Sequence, residues 1–237
     1  LNPYHPATPA TYMTQLQVDK VSSAPVIDGV LNDPAWDVTK TTKKVTMNPD
    51  TNAVTATSEG AHVFDVKYDD QYLYVGVMKK VGADHTPAPS TKFNEGDNIE
   101  IVLDPPAIKG STSVALTPMG TGPAKTALDL GAAQYFVGYK DGSGANVFCS
   151  PADGNPTGTN VVSTATASVK KSGEYLIFES KFSLAALGIV PKNGEYFGLN
   201  IIDEGAWTNN DPSWVMWTQG DSSIGMYKNT KCTGKAI

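Results

Sequence analysis

Arginine is missing altogether. All 18 basic side chains of this 237-residue chain are lysine, set against 24 carboxylates for a net charge of −6. Nothing here builds the basic stripe that a phosphate backbone requires, so nucleic acid is not the expected partner. Cysteine is nearly absent as well, with only Cys149 and Cys232. Two thiols with no histidine at ligand spacing cannot make a thiolate zinc site, and no Cys-x-x-Cys-His run exists to attach a c-type haem. Two readings are open for the pair: unrelated buried thiols, or a Cys149–Cys232 disulfide worth roughly 4 kcal/mol for so long a loop. No apolar run reaches the length of a membrane span. The N-terminus lacks the basic-then-apolar pattern of a signal peptide and opens on Leu1-Asn2-Pro3, as a processed end would. Charged residues are sparse at 18 %.

What the chain does have is turn formers and β-prone runs. The 22 glycines and 16 prolines divide it into short pieces, and its length supports a full hydrophobic core without metal or disulfide staples. Residues 1–15 are rich in proline and threonine and read as an arm or linker. Leu16 to Val21 alternates as a first strand. In Pro25 to Trp36, Asp28-Gly29 makes a turn, Asp33 caps a short helical turn opening at Pro34, and Trp36 anchors a core. Ala61–Tyr68 and Tyr72–Met78 flank Asp69-Asp70 as a hairpin, after which Lys79-Lys80 reads as a solvated exit from the sheet. Further strands are expected over Gln134–Tyr139, Val161–Val169, Tyr175–Phe182 and Tyr196–Ile202, with one helical turn capped by Ser183. Many strands, frequent turns and almost no helix predict an all-β antiparallel sandwich, jelly-roll or immunoglobulin-like, in one domain over residues 16–237.

The organising stretch is Phe93 to Asp104, Phe-Asn-Glu-Gly-Asp-Asn-Ile-Glu-Ile-Val-Leu-Asp. Ile99, Ile101 and Leu103 alternate with Asn98, Glu100 and Val102, one face for a core and one facing outward. Glu100 is a carboxylate in mid-strand. It reads either as part of a solvated face or, with Asp97, as the lining of a polar site beside an exposed Phe93. The loop 82–96 leading in carries His85 and is long enough to suggest function.

Taken in order, Ile27-Asp28-Gly29 with Trp36, Tyr68-Asp69-Asp70 before Leu73-Tyr74-Val75, and Gly96-Asp97-Asn98-Ile99-Glu100 form a familiar series. Tyr175 to Phe182, Leu187-Gly188 and Gly198-Leu199-Asn200 complete it. From about Val18 to Tyr227 the chain resembles the family 9 carbohydrate-binding modules and their wider sandwich relatives. The resemblance implies a secreted or cell-surface protein, often with structural calcium, for which Asp69-Asp70, Asp141 and Asn209-Asn210-Asp211 offer oxygens. It also implies a non-catalytic module that holds the end of a glucan or xylan chain between two aromatic rings. Phe93 stands where the family has one tryptophan, and Trp207, Trp214 and Trp217 are candidates for the other. Sugar rings offer apolar C–H faces for stacking and a rim of hydroxyls for polar groups, here Asp97, Glu100 and Asn210. Trp217 reads better as core, Trp207 as exposed, and Trp214 as either.

Three other readings stand beside this one. Relatives of the sandwich bind b-type haem through methionine with histidine or lysine, which would call on Met78, Met119 or Met216 with His85. A surface structural or adhesive protein would bury the same aromatic loop in a larger assembly. Glycoside hydrolysis would need two opposed carboxylates, for which Asp97, Glu100, Asp203 and Glu204 are available. The chain lacks the cleft-building loops and catalytic motifs of an enzyme, so no enzymatic activity is expected.

Overall fold

The computed structural model describes residues 15–38, 45–46, 48–49, 63–91, 96–104, 133–149, 165–187, 190–191, 197–203, 215–216 and 234–236. Its strands are β1 (Gln15–Leu16), β2 (Asp19–Lys20), β3 (Val45–Thr46), β4 (Asn48–Pro49), β5 (Val63–Tyr68), β6 (Tyr72–Lys80) and β7 (Asn98–Asp104). They continue as β8 (Ala133–Asp141), β9 (Gly144–Cys149), β10 (Ala165–Ser172), β11 (Tyr175–Ser183), β12 (Phe197–Asp203), β13 (Val215–Met216) and β14 (Gly234–Ala236). The one helix among the described residues is α1 (Leu184–Leu187), with Ser183 Oγ accepting from the Ala186 amide at 3.3 Å.

One curled sheet runs in the order β1–β14–β12–β7–β8–β9–β10–β11–β6–β5–β2, with β3 beside β5, β13 beside β12, and β4 beside β13. The expectation of a purely antiparallel sheet needs correction. β1 pairs with β14, and β2 with β5, in parallel. Both bridges come from the stretch expected to be one strand from Leu16. That stretch crosses from one end of the sheet to the other, with Val18 buried in the core between its two bridges.

Alternation decides what faces inward. Leu73, Val75 and Val77 of β6, Ile99, Ile101 and Leu103 of β7, and Leu199 and Ile201 of β12 meet in one core. Since these strands belong to the two halves of the path, the sheet curls around that core. The halves meet at β9 and β10, where the register is the single pair Ser168–Gly144.

The other face of β5, β6 and β11 is covered by residues 21–38. Trp36, 1 % exposed, packs there with Leu31, Val38, Val63, Tyr74 and Ile177. Glu179 of β11 clasps this layer. One carboxylate oxygen accepts from the Asp28 and Gly29 amides at 2.8 and 2.9 Å, and the other from Trp36 Nε1 at 2.8 Å. Directly across from Glu179 in the ladder stands Gly76, where a Cβ would come within 2.6 Å of Leu31 Cδ2. A carboxylate beside a missing side chain makes the notch that the tryptophan fills. Burial pushes the Glu179 carboxyl upward, against the three N–H donors that favour its charge. Asp33 does not cap a helix. Its carboxylate accepts from Val26 N at 3.2 Å, and residues 34–35 form only a turn.

Lys67 fixes the far end of the same layer, reaching Asp37 at 2.9 Å, Asp65 at 3.3 Å and Asp19 of β2 at 3.5 Å. Burial holds the Asp65 carboxyl above its ordinary range, more than the Asp37 amide and Lys67 lower it. At the other side of the molecule, Lys79 is no solvated exit. It continues the inward series of β6 and closes one end of the core, 2.7 Å from Asp203 of β12 and 3.6 Å from Asp97. Burial alone would lower its pKa, yet the two carboxylates outweigh that and raise it.

Two outcomes follow. Glu179→Gln, which leaves fewer acceptor lone pairs for three buried donors, lowers stability by about 2 kcal/mol, read as a lower urea midpoint at unchanged slope. Lys79→Met removes the cation that faces two buried carboxylates and costs about 3–5 kcal/mol at neutral pH. A raised lysine pKa stabilises the fold fully below the ordinary value and loses that contribution as pH climbs through the folded value. The deficit of Lys79→Met against wild type therefore narrows only in strong alkali, which denaturation midpoints across pH 7–11.5 would reveal on the ordinary lysine scale of about 10.4.

Candidate functional site

The stretch singled out in the sequence, Asp97 to Glu100, does two different things. Asp97 precedes β7 and is 0 % exposed. Its Oδ2 lies 2.8 Å from the Ala88 amide and 2.8 Å from His85 Nε2, while Oδ1 faces Lys79. Its backbone is equally committed: the amide donates to Ala88 O at 2.9 Å, and the carbonyl accepts from Tyr139 N at 2.8 Å and Ser90 Oγ at 3.0 Å. Loop 82–91 is therefore fastened to the sheet rather than free of it. Ser90 N adds a bond to Tyr139 O at 2.7 Å, and Asn146 Nδ2 of β9 donates to Ser90 O at 3.1 Å.

Two glycines let the loop come so close. Gly96 has φ +64°, and a Cβ on it would sit 2.4 Å from Pro89 O. A Cβ at Gly138 of β8 would sit 2.3 Å from Ser90 Cβ. Neither contact is with a flexible side-chain tip.

Glu100 is on the opposite face of β7 from the core, as the alternation requires, but that face is not solvated. Glu100 is 0 % exposed and Asn98, on the same face, 1 %. In register beside Glu100 stand Phe136 of β8 and Ile202 of β12, both buried. Asp97 and Glu100 thus do not line one surface. One carboxylate serves the end of the core and the loop, and the other stands on the outer face of the half built from β12, β7, β8 and β9.

Phe93, Trp207, Asn210, Trp214, Trp217 and Cys232 lie outside the described residues, as does the side chain of Cys149. Among the described residues no three His, Cys, Asp or Glu side chains gather to hold a metal. Asp69, offered as a calcium ligand, instead accepts from the Gln71 and Tyr72 amides at 2.7 and 2.8 Å and from the Tyr74 hydroxyl. Hydrogen bonds from those three groups, the Tyr74 hydroxyl foremost, outweigh its burial and keep its carboxyl below the ordinary range. Asp70 pairs with Lys20. The same expectation named Asp141, at the end of β8, and Asn209, Asn210 and Asp211, the last three outside the described residues. For a haem, Met78 packs on the outer tryptophan layer, whereas His85 is held by Asp97 on the inner side of β6. Those two lie on opposite faces, while Met119 and the side chain of Met216 lie outside the described residues.

Sequence reading missed Lys79, Ser90, Gly138 and Asn146. Only Lys79 carried a signal, since it follows Leu73, Val75 and Val77 at the same inward spacing. No helix among the described residues is long and apolar enough to cross a membrane.

No family model matches the sequence, and no curated protein matches it significantly. Solved structures do match in shape. A family 9 carbohydrate-binding module from Caldicellulosiruptor kristjanssonii, in complex with glucose, aligns over 94 % of both chains with TM-score 0.60 and 17 % identity. A second structure of a family 9 module from that organism, with cellotriose, gives TM-score 0.56 and 18 % identity over 94 % of this chain and 92 % of that one. A protein from Bacteroides uniformis, provisionally described as carbohydrate-binding, gives TM-score 0.55 and 9 % identity over 94 % and 98 %. Coverage of nearly the whole of each chain, by an almost all-β sheet curled on one core, leads to one conclusion. This chain has the fold of the family 9 carbohydrate-binding modules.

Proposed function

We propose that the chain is a non-catalytic carbohydrate-binding β-sandwich that docks on the chain ends of a glucan or xylan. The observation that carries this reading is the end-to-end likeness to modules whose structures hold glucose and cellotriose. Sugars demand a mixed surface: an apolar plane for the C–H faces and buried polar groups for the hydroxyls. Phe93 and one of Trp207 or Trp214 supply the rings. Asn210 supplies the polar contact; Glu100, between Phe136 and Ile202 on the outer face of β7, has no exposed surface to offer one.

The carboxylate arrangement supports a binding role over hydrolysis. Asp97 and Asp203 both turn to Lys79, and Glu100 is on the other face of the strand from the core. These three of the four carboxylates offered for hydrolysis do not flank a common gap, and Glu204 lies outside the described residues. In this reading the module spans residues 16–237 behind an arm of residues 1–15, is secreted or displayed on a cell surface, and keeps a larger enzyme or assembly near its polysaccharide.

Titration calorimetry with cellotriose and xylotriose tests it. Wild type binds at least one, and Trp207→Ala or Trp214→Ala weakens binding about ten- to hundredfold, the loss of one stacked ring at 1.4 kcal/mol per decade. A folded wild-type protein blind to every glucan and xylan oligomer would end this reading.

A further inference from the structure

We infer that Asp141-Gly142, in the turn between β8 and β9, is a site of spontaneous isomerisation to isoaspartate, and that Glu179 protects Asp28-Gly29 from the same reaction. The chemistry is internal to the chain and independent of what the protein binds. The Gly142 amide nitrogen attacks the Asp141 carboxyl carbon, an N–C bond forms, and the carboxyl hydroxyl leaves with the amide hydrogen as water, giving a cyclic imide. Water then adds back at either imide carbonyl. Opening at the main-chain carbonyl routes the backbone through the side-chain carbon, one methylene longer, with composition unchanged.

Attack needs an unobstructed nitrogen beside a carboxyl group that can turn towards it, and glycine obstructs least because it has no Cβ. Gly142 stands between the two strands at φ +47°, is exposed, and a Cβ on it would meet no atom within 4 Å. Among the described residues its amide donates to no partner in a turn or loop. Asp141 is exposed as well, and its carboxylate folds back over the turn, with Oδ1 2.6 Å from where a Cβ on Gly144 would stand.

Asp28-Gly29 is the same dipeptide in the opposite state. Gly29 is buried, and its amide donates to Glu179 Oε2 at 2.9 Å. The Asp28 amide donates to the same oxygen at 2.8 Å, while Asp28 Oδ1 accepts from the Val30 amide at 2.9 Å. Nucleophile and carboxyl group are both engaged. A Cβ on Gly29 would lie 2.9 Å from Lys170 Cβ, so the strap has little room to swing.

The exposed turn is also the joint of the sheet. Gly144 is the residue that pairs with Ser168 across β9 and β10, and Ser168 Oγ donates to Ser143 O at 2.7 Å. Asp141 and Gly144 face each other in the ladder with only two residues between them. One more methylene in so tight a turn displaces Ser143 and Gly144, and ageing at Asp141 loosens the contact between the two halves.

Two variants of the full-length protein, Asp141→Asn and Asp28→Asn, report the two sites, because asparagine closes the same ring with loss of ammonia and gains one mass unit on hydrolysis. Both are held in warm, near-neutral buffer, folded and in urea, while peptide masses are followed. Expected in the folded state is mass gain at least about tenfold faster at 141 than at 28, the scale of one charge-assisted hydrogen bond. In urea the two rates converge. Equal rates in the folded state overturn the protection by Glu179. Aged wild type supplies the check that needs no variant: isoaspartate at Asp141 rather than Asp28, with about tenfold faster hydrogen exchange over residues 165–169 in the isomerised fraction. No isoaspartate at Asp141 overturns the site, and unchanged exchange in isomerised protein overturns its effect on the joint.

Discussion

The rest of the structure depends on the Glu179 carboxylate. A sheet that curls around a core still leaves its outer surface to be managed, and one half of this sheet carries Tyr74, Ile177 and Met78 there. Glu179 resolves this by binding the Asp28 and Gly29 amides and the Trp36 indole, which lays residues 21–38 across that face. The notch at Gly76 makes room for Leu31 and the tryptophan, and Lys67 secures Asp37 at the far end. Polar groups in an apolar layer are tolerated here because each meets a partner.

The same logic governs the end of the core. Lys79, Asp97 and Asp203 occupy positions that extend the inward-facing rows, where further apolar side chains would have lengthened the core. A buried ion pair is weak evidence for added stability, since desolvation offsets most of the attraction. Its value lies in geometry. One lysine sets the distance between β6, β12 and the start of β7, and Asp97 transmits that setting to His85, Ala88 and Ser90. The loop whose length suggested function is thus built on the core's own electrostatics.

Much of this was legible in the sequence, for a definite reason. Period-two alternation in Tyr72–Met78, Asn98–Asp104 and Tyr175–Phe182 marks β6, β7 and β11 within a residue or two, because burial on one face constrains every second side chain. Trp36 as a core anchor, the Asp69-Asp70 turn and the Ser183 cap were also readable from local chemistry. What escaped was whatever depends on partners far along the chain. Lys79 looks like a surface residue until Asp203, 124 positions later, is placed beside it. Asp97 and Glu100 look like neighbours in one site until the pleat sends them to different sides. The parallel bridges of β1 and β2 are two residues long, too short for any periodic signal.

Those short bridges have a bearing on how the protein meets others of its kind. β5 is bordered on its outer side by β3 at one end and β2 at the other, and β12 by β14 and β13. Each long outer strand is thereby finished with pieces of two or three residues. Among the described residues, the rim beyond them is offered in lengths of only two or three residues. A sheet of this extent, with no arginine and a modest net charge, would otherwise be exposed to edge-to-edge aggregation. Along these described edges, a second chain would find few consecutive unpaired backbone groups to pair with.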